Sequence, residues 1–436
     1  MTTNSEFRTN FYVCIVGSGL VGLACGILLR RHGFKVTILQ KDLTLGTLGA
    51  GIQLHPNALR VLKDLGVYDK VRAVSILPQA IILKEYKTGQ VLHTQDLLQA
   101  TEKYDAPVVT IHRARLLGIL YAEAIARGVV IRHGVSIDVA GVDLAGGVLR
   151  LAGPSEEIIH ADLVVGADGA NSVIREAVTG GKPAVVPHGK VVNRILVDEA
   201  AIMARPRLRH LIERPNIVVW LGPGGQAVTY GLDGTFNIAF TWPWSADPKD
   251  AFFGPQKVDF EEFKKGLAAW EPDLRELMEL GGDALRWMFF EHPGDGEETP
   301  WLDPSGRLCI VGDAAHQVLP YLAQGAALGF ESASILAHLL GKTESEQQVR
   351  DCLDVYQRLR KERTGHVVRA SLKTSRLWQL PDGPLKDERD REFLNEVPSA
   401  GYPNFLADPF FREWLWGFDA KAAAGEAWAR YEQERV

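Results

Sequence analysis

Cysteine is scarce: four residues, Cys14, Cys25, Cys309 and Cys352, in 436. They form no CxxC pair and no metal-ligand spacing, which excludes a disulfide scaffold and a zinc site and leads us to expect a reducing, cytoplasmic setting. A basic excess is also missing. With 48 Lys+Arg against 54 Asp+Glu the net charge is −6, so nothing supplies the phosphate-neutralising cations that nucleic-acid binding requires. No long uninterrupted apolar run is present. Residues 11–29 are uncharged, but Gly17, Gly19, Gly22 and Gly26 punctuate them and little positive charge precedes them. A buried strand–turn–helix fits better than a signal anchor, and no membrane span is expected. Internal repeats and low-complexity tracts are absent, and ordinary apolar and charged fractions exclude wholesale disorder. Glycine, by contrast, is abundant: 43 residues, where average usage of about 7% gives roughly 31.

At about 150 residues per domain, this length implies two or three domains. Residues 12–16 form a β-rich run, followed by glycines, a helical stretch to about His32 closed by Gly33, and a second strand over 35–39. This is a βαβ opening and implies a parallel sheet. Pro56 begins a helix, residues 80–86 and 91–94 read as a hairpin, 108–111 as a strand and 113–127 as a helix. Short strands then alternate with turns up to a strand at 163–165. The middle third is proline-dotted and strand-rich, with strands at 191–197, 216–221, 227–230 and 237–242 and one helix near 259–270. It reads as a mostly antiparallel second domain. A buried strand returns at 308–311, helices follow at 325–340 and from 346 to about 376, and an aromatic cluster closes the chain at Phe410, Phe411, Trp414, Trp416 and Phe418. The fold class is therefore α/β: a Rossmann-like parallel-sheet domain, a mostly antiparallel β domain and C-terminal helices.

Three motifs carry chemistry. Gly17-x-Gly19-x-x-Gly22 sits between a strand and a helix, where glycines permit a tight turn, approach to a pyrophosphate and close helix–strand packing. The helix N-terminus adds N–H donors and a positive dipole end. The acidic residue expected roughly 20 positions on is missing; Gln40 stands there, with Asp42 beyond it. The second motif, Gly166-Ala167-Asp168-Gly169-Ala170-Asn171-Ser172-x-x-Arg175, is a strand entering an acidic turn; by itself it most simply marks a turn. The third, Gly312-Asp313-Ala314-Ala315-His316, delivers an acid at a strand end, and a helix N-terminus opens shortly after it at Gly325.

In this order and spacing the three motifs resemble those of the FAD-dependent aromatic hydroxylases of the para-hydroxybenzoate hydroxylase type. The salicylate hydroxylase-like branch, which includes fungal secondary-metabolism monooxygenases, is the nearest likeness. Gly49-Ala50-Gly51-Ile52-Gln53-Leu54, His112-Arg113-Ala114-Arg115-Leu116, the run from Pro320 to Gly325 and Trp414-Leu415 share the resemblance, which spans essentially the whole chain. It implies FAD as cofactor, NADPH or NADH as co-substrate, O2 and a small aromatic substrate. It places Gly17, Gly19 and Gly22 at the pyrophosphate, Gln40 at the adenosine ribose, Gly49, Gly51 and Arg113 beside the flavin, and Asp168 and Gly169 near both nucleotides. Asp313 falls at the ribityl chain, and Gly325 and Ala326 at the isoalloxazine. On the substrate side Arg194, Tyr230 and Tyr321 are the candidate catalytic residues; Arg194 would stabilise a phenolate or an anionic ring intermediate. Three positions depart from the family pattern: Gln40 for glutamate, Gln317 for proline and Ser332 for aspartate.

The implied division is an FAD-binding domain over 1–76, 104–181 and 300–345, a substrate domain over 77–103 and 182–299, and a helical segment over 346–436. The implied reaction inserts one oxygen atom into an electron-rich aromatic or heteroaromatic ring through a flavin C4a-hydroperoxide. Two alternatives share these residues: epoxidation and rearrangement of an indole-type substrate, and a non-catalytic binding protein on an FAD-like fold.

Overall fold

The structure, a computed structural model, describes residues 3–44, 46, 49–143, 146–152, 157–181, 185–245, 247–292, 299–395 and 397–434. Five parallel strands lie in the order Leu308–Ile310, Leu163–Gly166, Tyr12–Val16, Lys35–Gln40, Val130–His133. The central strands are apolar at consecutive positions because they are buried on both faces, as parallel strands are. Helix Leu20–Arg31 follows the first strand. Helix Gly325–Leu340, almost wholly buried, packs on it so closely that a Cβ at Gly329 would overlap Val21. All four cysteines are buried and free in this core.

The second large sheet has eight strands in the order Gln256–Lys257, Ala284–Glu291, Val186–Asp198, Thr235–Pro243, Gly225–Leu232, Ile217–Gly222, Ala80–Glu85, Val91–Asp96. Every neighbour is antiparallel except Ile217–Gly222 beside Ala80–Glu85, which is parallel. Strands Gly51–Leu54 and Val109–His112 form a separate antiparallel pair, and Ser136–Asp143, Val148–Ala152 and Ile158–His160 form a small antiparallel sheet. Helix Glu346–Trp378, 33 residues long and capped by Ser345, leads into helices Pro384–Asn395, Pro409–Trp416 and Ala420–Glu434.

Two elements differ from the sequence reading. The single helix expected over 259–270 is instead Phe260–Lys265, followed by a second helix, Pro272–Glu279. The chain breaks between them so that Trp270 packs edge-on to Phe240 and Tyr86, and the Glu271 carboxylate receives Lys84 Nζ at 3.1 Å and Trp220 Nε1. Strand Ala284–Glu291, not anticipated, pairs with Val186–Asp198. Its run Leu285-Arg286-Trp287-Met288-Phe289-Phe290 carries no clean period-two alternation to announce it.

Candidate active site

The three motifs converge at the carboxyl ends of parallel strands, where open α/β sheets bind ligands. Gly17 follows the first strand, Gln40 ends the second, Ala167 and Asp168 follow the strand ending at Gly166, and Gly312 and Asp313 follow the strand ending at Ile310. Gly17 has φ +106°, and a Cβ there would meet the backbone of Ala167 and Asp168. A Cβ at Gly22 would overlap the Gly17 carbonyl oxygen. Gly19 and Gly169 face open space, with nothing within 4 Å of an added Cβ. The turn is thus closed by its first and third glycines and left open at its second, the position at which backbone approaches a phosphate.

Gln40 is engaged locally. Its Oε1 accepts from Ser18 N (3.0 Å) and Ser18 Oγ (2.9 Å), and its Nε2 donates to Asp42 (2.9 Å). Asp168 holds the segment after it: Oδ1 accepts from Ser172 Oγ, and Oδ2 from Val173 N (2.8 Å) and Ile174 N (3.3 Å). Burial pushes the Asp168 carboxyl up, and these donors pull it back. Arg175, buried, donates to the carbonyls of Ala314 (3.1 Å) and Ala315 (3.0 Å), tying the second motif to the third. Asp313 is exposed at the end of its strand, and its carboxylate makes no side-chain hydrogen bond among the described residues. The protein surrounding it raises its carboxyl above the ordinary carboxylate range, while the nearby Arg113 guanidinium lowers it. Arg113 N donates to Ala50 O (3.1 Å), and a Cβ at Gly49 would lie 3.3 Å from the Arg113 side chain.

This set suits a dinucleotide of FAD type. It offers an open glycine turn and a helix N-terminus for a pyrophosphate, and at Asp313 an exposed carboxylate free to accept from hydroxyls. Arg113 supplies a cation, and a second helix N-terminus stands at Gly325 for a ring that takes on negative charge.

Next to Gly325 lies a cavity of about 210 Å³. Its floor comes from Gly325, Ala326, Pro320 and Ala323, its rim from Gly51, Ile52 and Gln53. Its wall is one face of three neighbouring strands, and the register explains which side chains reach it. Val192, Thr241 and Gln226 are cross-strand partners, as are Arg194, Ala239 and Val228. The period of two brings Tyr230 onto the same face, while Ala227, Phe240, Ile195 and Ile238 turn the other way into an apolar core. Arg194 is the one cation among the described lining residues. Its Nη1 donates to Gly51 O at 3.1 Å, and Gly51 N donates to Asn237 Oδ1 at 3.0 Å. Tyr230 stacks so tightly over Gly51 that any Cβ there would overlap its ring. Burial drives the Tyr230 phenol up to about 12, and Arg194 pulls it partly back, so the phenol is neutral near pH 7. Gly51 is therefore held by Arg194, Asn237 and Tyr230, and its lack of a side chain serves Tyr230.

Tyr321 is placed differently from Pro320 and Ala323. Its ring is buried behind the lining, edge-on to Phe289 at 6.3 Å and clustered with Val192 and Leu319. Burial raises its phenol to about 12, with Ser375 and Gln379 close by.

A buried polar network behind the floor was not legible in the sequence. Glu331 lies between Arg360 (2.9 Å) and Arg363 (2.8 Å), and Asn57 Nδ2 donates to Glu331 Oε1 (2.7 Å) and Gln324 Oε1 (2.9 Å). Gln324 precedes Gly325 and reaches His55 Nδ1 at 2.7 Å. Ser332, at the departure from aspartate, bonds His316 Nε2 (2.8 Å) and receives Arg360 Nε (3.0 Å). Burial lowers His316 to about 3, and Arg360 reinforces this, so the ring is neutral. Gln317 borders a separate small cavity that also touches His316 and Trp301.

Comparison with known proteins agrees with this geometry. The model of the FAD binding domain family matches residues 10–267 and 303–371. The FAD-dependent monooxygenase OpS4 of Beauveria bassiana (strain ARSEF 2860) is 31% identical over 430 residues, covering 97% of this chain and 98% of the relative. The 3-amino-4-hydroxybenzoate 2-monooxygenase PtnB3 of Streptomyces platensis is 34% identical over 415 residues, covering 94% and 96%. Among solved structures, CtdE in complex with FAD and a substrate superposes with a TM-score of 0.81 at 19% identity, covering 97% of this chain and 99% of that one. From the glycine turn at Gly17 to the acid at Asp313, and across nearly its whole length, this chain belongs to the FAD-dependent monooxygenases of the aromatic-hydroxylase type.

Proposed function

We propose that this enzyme uses NADPH or NADH and O2 to insert one oxygen atom into an electron-rich aromatic ring bearing a phenolic or other acidic group. The observation that carries the reading is the cavity beside Gly325, closed by a sheet face on which Arg194 is the one cation among the described residues. When bound, FAD would supply the redox chemistry and oxygen activation, held by Gly17, Gly19, Gly22, Gly169, Asp313 and Arg113 with its ring toward Gly325 and Ala326.

The chain's own residues then do the following. Val192, Val228, Ile52, Val318 and Pro320 exclude water from around the ring. Arg194, pinned by Gly51 O, is preorganised, so its remaining N–H groups stabilise negative charge on substrate oxygen without reorganising. Tyr230, neutral, stays available to donate from its hydroxyl. We assign positioning, not substrate contact, to Tyr321. Hydroxylation is favoured over indole epoxidation because a relative matching 94% of this chain is named for a hydroxybenzoate substrate.

The test is a screen of hydroxybenzoates, aminophenols and indoles for substrate-stimulated NAD(P)H oxidation, with mass spectrometry of the product. A gain of one oxygen atom supports the reading. NAD(P)H oxidation that yields only hydrogen peroxide with every arene overturns it.

A further inference from the structure

Gln226 lies on the cavity wall across the strands from Thr241 and is almost fully buried, yet nothing in the sequence motifs singles it out. A glutamine amide can offer a cavity either its carbonyl or its NH2, and its neighbours decide which. Here they leave no choice. Lys190, on strand Val186–Asp198, donates to Gln379 Oε1. An ammonium has donors only, so Gln379 must turn its oxygen to Lys190 and its nitrogen away. Gln379 Nε2 in turn donates to Gln226 Oε1 at 3.3 Å. Gln226 therefore presents Nε2 to the cavity, and that nitrogen has no protein partner among the described residues.

The relay is anchored at both ends. Gln379 caps helix Glu346–Trp378, and its carbonyl accepts from Gly224 N at 3.0 Å, pinning the turn that leads into the strand of Gln226. Lys190 sits where strand Val186–Asp198 faces Pro243 of the next strand. A residue from the C-terminal helical segment thus sets the polarity of a side chain in the substrate cavity.

We propose that Gln226 is a specificity-determining donor, wired by Lys190 and Gln379 to recognise an acceptor oxygen on the aromatic substrate and to disfavour a donor at the same ring position. This rests on the functional reading above and deepens it. Arg194 and Gln226 stand on different strands of the wall, at positions 194 and 226, with Ala239 and Thr241 on the strand between them. A ring held there therefore meets two separate donors, and an acceptor at only one end satisfies only one of them. Leaving a buried donor unpaired is costly, so the wall selects by substituent chemistry as well as by size.

The experiment titrates FAD-loaded enzyme with 4-hydroxybenzoate, 3-hydroxybenzoate and salicylate, each alongside the corresponding hydroxybenzyl alcohol, following the flavin absorbance change to obtain Kd. In the wild-type enzyme at least one acid binds more tightly than its alcohol. Gln226→Glu, which places an acceptor and a negative charge at the same volume, weakens acid binding by about ten- to a hundredfold and shifts alcohol binding by less than about threefold. Lys190→Met releases the polarity of the relay and narrows the acid-to-alcohol ratio, while Lys190→Arg, still donor-only, restores it. A structural defect would not separate Met from Arg in this way. Wild-type acid binding in Gln226→Glu, an unchanged ratio in Lys190→Met, or no acid binding at all overturns the proposal. If the binding pattern holds but no arene gains oxygen, the proposal stands and the monooxygenase reading of the site fails; if arenes are oxygenated and the pattern is absent, the reverse follows.

Discussion

Replacing Glu331 by Gln removes the one carboxylate that, among the described residues, balances Arg360 and Arg363 in a fully buried cluster. Burial by itself would raise this carboxyl; Arg363, Arg360 and the Asn57 hydrogen bond outweigh it and hold the group at about 2, against an ordinary 4.5. At about 1.4 kcal/mol per pH unit, that lowering corresponds to about 3 kcal/mol of stability. Breaking a buried ion pair by deleting one partner costs about 3–5 kcal/mol, so the two routes agree. With about 2.1 cal/mol/K per residue over 436 residues, unfolding entropy is about 0.9 kcal/mol/K, and the midpoint should fall by about 3–5 °C at pH 7. The assay is thermal unfolding followed by circular dichroism at saturating FAD, so that cofactor occupancy does not differ between variants. The sign with pH is definite. The carboxyl is depressed in the folded state, so its contribution is complete above about 4.5 and is lost as pH falls toward 2. The gap between wild type and Glu331→Gln should narrow over that window. Pairing Glu331→Gln with Arg363→Met should recover part of the loss, because it also removes a stranded cation. A midpoint change below about 1 °C, or a double variant worse than the sum of the singles, would refute the reasoning.

Other outcomes follow from the same geometry. Gly22→Ala forces a methyl onto the Gly17 carbonyl, so the purified protein should lose flavin, read as the ratio of absorbance near 450 nm to that at 280 nm; stoichiometric flavin would count against the turn's role. Gly51→Ala collides with the Tyr230 ring, and it should retain flavin while losing substrate-stimulated NAD(P)H oxidation. Adding Tyr230→Ala should restore Gly51's fold but not catalysis, and a fully active Gly51→Ala would contradict the clamp. Arg194→Met should lower kcat/KM for phenolic acids by about tenfold to a hundredfold while leaving basal NAD(P)H oxidation in place. His55 and His316, held neutral by burial at about 4 and about 3, bind protons in the unfolded chain first. They therefore cost stability as pH falls below their ordinary 6.5, and His55→Gln should flatten the acid limb of a stability-against-pH curve.

The legible parts were local. Strand Tyr12–Val16, the glycine turn and helix Leu20–Arg31 are neighbours in sequence and announce themselves by composition and order. So does the run from Leu308 through Asp313, and helix Gly325–Leu340 begins at the glycine expected. Arg194, picked from its strand, does line the cavity. What escaped were pairs separated by long stretches of chain: Gln379 with Gln226, Asn237 with Gly51, Asn57 with Glu331. A polar residue at alternate positions of an apolar strand, as Gln226 and Asn237 are, is the faint signal available. Its meaning depends on which strand lies beside it and in which register. Tyr321 carried a motif's address, yet its ring turned behind the wall, because backbone position leaves side-chain direction to local packing.

The chain's own order of residues therefore determined that a dinucleotide site of this type forms, since its glycines, strand ends and helix starts act over a few residues. The substrate side was decided only by tertiary structure. The face of a three-strand wall is chosen by register, and a one-residue slip would bury Arg194 in the apolar core and bring Ile195 to the cavity. Likewise, the donor that Gln226 presents follows from Lys190 by way of a helix end some 150 residues downstream. Hydrogen-bond direction is a property of the whole relay, and no single residue in the sequence contains it.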